Sequence, residues 1–97
     1  MSILSRPILE SSIVRSCRTI AKVRGARMLK LEQLKGWTDY IILYKGKVVF
    51  TEFKRPLLGV LSPSQKRVRH MLISSGFTYA LIDSKQDFVD LLNELDS

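Results

Sequence analysis

Residues 36–54 read GWTDYIILYKGKVVFTEFK, and the fold turns on this stretch. It contains two short apolar runs, Tyr40–Tyr44 and Val48–Phe53, separated by Lys45-Gly46. The runs are nearly continuous in apolar character, the pattern of strands buried on both faces. A two-residue connection containing glycine, which supplies positive φ, predicts a tight hairpin. With that loop Tyr44 faces Lys47, and counting back along both strands sets Asp39 opposite Glu52. Side chains at directly opposed positions lie about 4.5–5.5 Å apart at Cβ, where like charges repel. Lys54, two residues beyond Glu52, shares its face of the strand. One end of an oily hairpin thus gathers two carboxylates and a lysine. A divalent cation is the simplest group that would offset the repulsion.

Working outward, the chain of 97 residues suits one domain, residues 1–97. The 45% hydrophobic and 26% charged content predicts a folded, soluble protein. No apolar run approaches the roughly 20 residues that a membrane span needs. The first residues carry no signal-peptide pattern, and Cys17 is the only cysteine, so a reducing, cytoplasmic setting is expected. Charge is unevenly spread. Residues 1–82 hold 15 basic against four acidic side chains, a balance of +11, whereas residues 83–97 balance at −4. Three of the four acids in the basic part are Glu10, Asp39 and Glu52. A basic body with few acids fits a nucleic-acid partner, and equally a merely basic soluble protein.

Ser5 and Pro7 predict a helix start, and apolar residues at Leu9, Ile13, Val14, Cys17, Ile20 and Ala21 predict a helix running to about Val23, ended by Gly25. Glu10 falls along that apolar stripe. It is there either as a first-turn acid favoured by the helix dipole or as part of a site. Arg15, Arg18 and Lys22 occupy the opposite face, as a solvated face or as phosphate contacts. Met28–Leu31 reads as a short strand, with Leu29 and Leu31 on one side, and Gln33–Gly36 as a connection. Residues 55–59 read as a loop around Pro56. Ser62-Pro63-Ser64-Gln65 predicts an N-cap with a capping box, opening a helix to about Ser75 that Gly76 terminates. Lys66, Arg67, Arg69 and His70 lie on its polar face, with Val68, Met71 and Leu72 inward. Phe77–Ile82 reads as a last buried strand. Ser84 and Asp87 then cap an amphipathic helix carrying Phe88, Leu91, Leu92 and Leu95. Helices alternating with strands in this order predict a mixed α/β sheet with helices packed on it. No Gly-rich phosphate loop, zinc-ligand spacing or nucleophile elbow is present.

The order of elements, with Glu10 on the first helix, Asp39 at a strand start and Glu52-x-Lys54 on the next strand, resembles the PD-(D/E)XK nuclease fold. Within it, the chain is most similar to virus-type replication-repair nuclease (VRR-NUC) domains. The matching pieces are Glu10, Lys30, Gly36-Trp37-Thr38-Asp39, Phe50-Thr51-Glu52-Phe53-Lys54-Arg55-Pro56, Leu61-Ser62-Pro63-Ser64-Gln65, and Leu72 with Gly76. Thr38 stands where the family usually has proline.

The resemblance implies a restriction-endonuclease-like αβββαβ core plus a C-terminal helix. It also implies that Asp39, Glu52 and the Phe53 backbone carbonyl bind Mg²⁺ or Mn²⁺, with Glu10 on a metal-bound water or second ion. Lys54 would hold the attacking water, and Gln65 would touch the nucleophile or phosphate, although the capping box accounts for Gln65 without a catalytic role. Arg15, Arg18, Lys22, Lys30, Arg55, Lys66, Arg67, Arg69 and His70 are the expected DNA contacts. Trp37 and Cys17 read as core. The implied protein is a DNA endonuclease of a bacterial or phage-infected cell, without organic cofactor. It would act as a homodimer on branched DNA such as four-way junctions. Rival expectations are a duplex-nicking nuclease, a non-catalytic DNA-binding subunit and an RNA-binding protein.

Overall fold

The computed structural model describes residues 10–32, 36–56 and 60–97. Its elements run α1 (Glu10–Arg24), β1 (Arg27–Lys30), β2 (Tyr40–Tyr44), β3 (Lys47–Phe53), α2 (Pro63–Ser74), β4 (Thr78–Ile82) and α3 (Lys85–Leu95). The expected helix start at Ser5 and Pro7, Leu9, most of the Gln33–Gly36 connection and the second half of the 55–59 loop lie outside the described residues.

The hairpin has the register that its two-residue loop demands. Tyr44 pairs with Lys47 and Tyr40 with Thr51, antiparallel. Both loop residues have positive φ, Lys45 at 49° and Gly46 at 77°, the backbone of a type I′ turn, whose twist matches that of the strands. Lysine is an unusual occupant of that conformation. Its ammonium is anchored 2.6 Å from Asp96 Oδ1, while Asp96 also accepts from Tyr44 Oη at 2.9 Å and Arg24 Nη2 at 2.7 Å. The end of α3 is thereby clipped to the hairpin tip and to the end of α1.

The sheet order is β1-β2-β3-β4, with β4 parallel to β3 and the other pairs antiparallel. The crossover through α2 returns the chain beside β3, as a parallel neighbour requires. The α2 start matches its sequence signature. Ser62 is the N-cap, its Oγ accepts from the Gln65 N–H, and the Gln65 side chain accepts from the Ser62 N–H. Gly76, at φ 88°, ends the helix.

The core lies on one face of the sheet. There Ile13, Cys17 and Ala21 of α1 and Phe88, Leu91 and Leu92 of α3 pack on Tyr40, Ile42, Tyr44, Val49, Phe53 and Ile82. The buried surroundings push the Cys17 thiol up to about 11. On β1, Met28 packs on the core while Leu29 is 46% exposed. Among the described residues the other face is covered only by α2, on the β4 side, and this corrects three expectations. Ile41 and Leu43 are half-buried, so the hairpin is fully buried on one face. In α2 only Leu72 is buried, and Met71 is exposed. The last strand is an edge in which Ile82 alone is buried, with Phe77 54% and Leu81 43% exposed. The common cause is that one short helix cannot cover four strands.

Candidate active site

Asp39 sits at the mouth of β2, held by three backbone hydrogen bonds. Its N–H donates to the Thr51 carbonyl at 3.0 Å, its carbonyl accepts from Leu31 N–H at 2.8 Å, and its Oδ2 accepts from Phe53 N–H at 2.8 Å. One step past the Tyr40–Thr51 pair, this places it opposite Glu52, as the loop count requires. Glu52, on the face of β3 away from the main core, is only 1% exposed. Its Oε2 accepts from Gln65 Nε2 at 3.1 Å.

Electrostatics joins the other residues to this pair. Burial, followed by the Asp39 charge and a hydrogen bond with Asp39, pushes the Glu52 carboxyl up to about 8, while Lys54 pulls the other way and Glu10 adds to the rise. Burial and then the Asp39 charge also raise Glu10, against Lys54 and Arg55. Three acids and Lys54 therefore lie within one another's fields. Glu10 lies in the first described turn of α1 and within the field of Asp39. An open cleft of about 340 Å³ is lined by Glu10, Ser11, Val14, Lys30, Asp39 and Tyr40. Among the described residues no group of three or more His, Cys, Asp or Glu side chains is arranged to enclose a metal ion.

Gln65 makes the capping contact of its local reading and, in addition, a contact to Glu52. Its Oε1 accepts from Ser62 N–H at 2.8 Å while its Nε2 donates to Glu52. The capping box thus orients an amide donor toward the buried carboxylate. Gln65→Glu preserves the cap and replaces the donor with a third acceptor. It is expected to fold with a capped α2 but to lose at least tenfold in any activity that depends on Glu52. Helix content by circular dichroism, read beside turnover, checks both halves. Gly36 fixes the same geometry from the loop side. At φ 80°, a Cβ there would come within 2.8 Å of Ser64 Cβ and 3.1 Å of the Ser64 backbone. Only glycine lets the approach to Asp39 pack against the first turn of α2.

The basic residues divide. Lys30 joins Glu10 and Asp39 in the cleft, and Arg55 lies in the field of Glu10. Arg15, Lys22, Lys66, Arg67 and His70 are exposed, and Arg69 is half-buried. Arg18 is engaged, its Nη2 donating to Tyr40 Oη at 3.0 Å with the guanidinium over the ring. His70 Nε2 lies 3.4 Å from Ser74 Oγ. Helices α1 and α2 pack on opposite faces of the sheet, so their basic stripes do not form one surface. What the two helices share is the site, at which each presents its first turn. Trp37 is half-buried against Phe50, at 6.3 Å between ring centres. Tyr40, a cleft wall, carried no signal in the sequence beyond that of a strand aromatic.

No family model matches the sequence, and no curated protein matches it. A solved structure described as "VRR_NUC domain" is similar to this chain at a TM-score of 0.74, covering 87% of this chain and 94% of that one, with 20% sequence identity. At that identity the likeness is one of fold. With three helices and a four-stranded mixed sheet among the described residues, the chain has the restriction-endonuclease-like α/β fold of a VRR_NUC domain.

Proposed function

We propose that this protein is a metal-dependent DNA endonuclease that hydrolyses phosphodiester bonds in branched duplexes such as four-way junctions. The observation that carries the reading is the opposition of Asp39 to the buried Glu52, with Lys54 and Glu10 in the same field. A buried carboxyl pushed up by a neighbouring carboxylate weakens a fold unless a cation is meant to join the pair. The donors are hard carboxylate oxygens, which fits Mg²⁺ or Mn²⁺ held by Asp39, Glu52 and the Phe53 carbonyl, with Glu10 acting through water. An ion held by only two carboxylates keeps most of its waters.

When bound, the ion would supply Lewis acidity toward the phosphoryl oxygen and a more acidic water. The protein's own groups do the rest. Lys54 holds the attacking water and stabilises charge on the phosphate. Gln65 keeps Glu52 oriented, and Lys30 and Arg55 neutralise flanking phosphates. The first turn of α2 presents its positive dipole end beside Glu52, which favours an anion there.

A homodimer follows from a substrate cut on two strands. Leu91 and Leu92 of α3 are consumed by the protein's own core, so the leucine-rich helices have little apolar surface left for a partner. The sheet face bearing Leu29, Val48 and Phe77 retains exposed apolar surface. Among the described residues no helix is long and apolar enough to cross a membrane.

The test is cleavage of a labelled four-way junction beside duplex, flap and single strand, in Mg²⁺, Mn²⁺ or EDTA. Paired metal-dependent nicks on the junction, lost in Asp39→Asn, are the expected result. Equal cutting of every substrate would reduce the reading to a nuclease without branch preference. Tight binding without cutting would replace it with a DNA-binding subunit, and preference for RNA without metal dependence would replace it with an RNA-binding protein.

A further inference from the structure

Among the described residues two buried side-chain polar atoms lack a hydrogen-bond partner, the hydroxyls of Thr38 and Tyr79. Thr38 is 3% exposed and directly precedes Asp39. Tyr79 lies on β4 opposite Phe50, two residues before Leu81, which is opposite Glu52. Residues two apart on a strand share a face, so Tyr79 and Glu52 project from the same face of neighbouring strands, beneath α2. The Tyr79 hydroxyl responds to Glu52 most among the charges around it. Burial and then the Glu52 charge raise it to about 12, against an opposing pull from Arg69.

A buried hydroxyl with no partner destabilises the fold, and phenylalanine would fill the same space without that cost. An unpaired donor beside a carboxylate pair makes physical sense where the carboxylate acquires its full set of contacts only with a ligand present. A carboxylate that binds a cation needs donors on its remaining lone pairs, and those outer contacts set its orientation. We propose that Tyr79 is a positioning residue for the metal site, its hydroxyl donating to the Glu52 carboxylate when that carboxylate holds the cation. This rests on the metal-dependent reading above and adds a residue to it. Tyr79 does not touch the substrate, and it acts through Glu52.

Tyr79→Phe removes one oxygen and leaves the ring packing intact. Two quantities are measured for it, for the unaltered protein and for Glu52→Ala: the melting temperature in EDTA, and Mn²⁺ affinity from the electron paramagnetic resonance of free Mn²⁺. Tyr79→Phe is expected to melt at the same or a higher temperature in EDTA while binding Mn²⁺ about tenfold more weakly. An affinity within twofold of the unaltered protein would overturn the proposal and leave the metal reading standing. A lower melting temperature in EDTA would also overturn it, because the hydroxyl would then carry a bond in the metal-free fold. If Glu52→Ala binds Mn²⁺ as well as the unaltered protein, the metal reading itself fails and the role of Tyr79 goes with it.

Discussion

Glu52→Gln is expected to abolish cleavage, by about 10³-fold or more, while making the metal-free protein more stable at alkaline pH. The two effects have one origin. The carboxyl is 1% exposed beside Asp39, and its negative charge serves no purpose in the fold alone. Glutamine has the same shape, and its carbonyl oxygen can still accept from Gln65 Nε2, now bonded to Glu52 at 3.1 Å. The substitution removes the repulsion and leaves the packing. It also removes an anionic metal ligand, and several kcal/mol of metal-borne charge stabilisation corresponds to about three decades or more in rate. Turnover on the best substrate and denaturation at pH 9 in EDTA measure the two sides. A variant that lost activity and also lost stability would mean that Glu52 is a structural acid, and would remove the main support for the nuclease reading.

Raising the pH from 5 to 9 without metal is expected to destabilise the protein, with most of the loss recovered on adding Mg²⁺. The Glu52 carboxyl is raised from 4.5 to about 8 in the folded chain. Between those values the folded state holds a proton that the unfolded state has released, so stability falls as pH rises. Below about 4.5 both states are protonated and there is no penalty; above about 8 it is complete. At about 1.4 kcal/mol per unit the upper limit is on the order of 5 kcal/mol. Glu10, raised for similar reasons, adds in the same direction. A cation that binds the ionised pair only in the folded state offsets the loss by mass action. Urea denaturation at several pH values, with EDTA and with Mg²⁺, reads both slopes. A flat profile in EDTA would show that the pair is better solvated than its burial implies. A steep profile unaffected by Mg²⁺ would argue against a metal site.

Much of the site was legible along the chain. Lys45-Gly46 sets a two-residue loop, and the loop sets the register that opposes Asp39 to Glu52. Ser62 and Gln65 announce their own cap, and Gly76 its own stop. These are local features, in which neighbouring backbone groups satisfy one another whatever lies beyond them. Glu10 was ambiguous because a first-turn acid looks the same whether it meets water or a second carboxylate. Gln65 was ambiguous because one amide has two ends, and both are used.

Burial followed different rules. Leu29, Met71, Phe77 and Leu81 have the apolar character of core residues and are exposed. The alternation along a strand separates its two faces without saying which of them a helix will cover. Here two helices pack on one face and a single short one on the edge of the other. Tyr79 shows the converse. In the sequence it is one more aromatic in a strand, and its relation to Glu52 exists only because a parallel crossover brings β4 beside β3. The sequence by itself determined the elements, the hairpin register and the identities of the acids, since these depend on spacing and on local backbone chemistry. Tertiary structure alone decided how deeply Glu52 is buried, which basic residues reach the cleft and which hydroxyls are left unpaired. Those depend on which faces meet, and that is a property of the packed layers that no single segment carries.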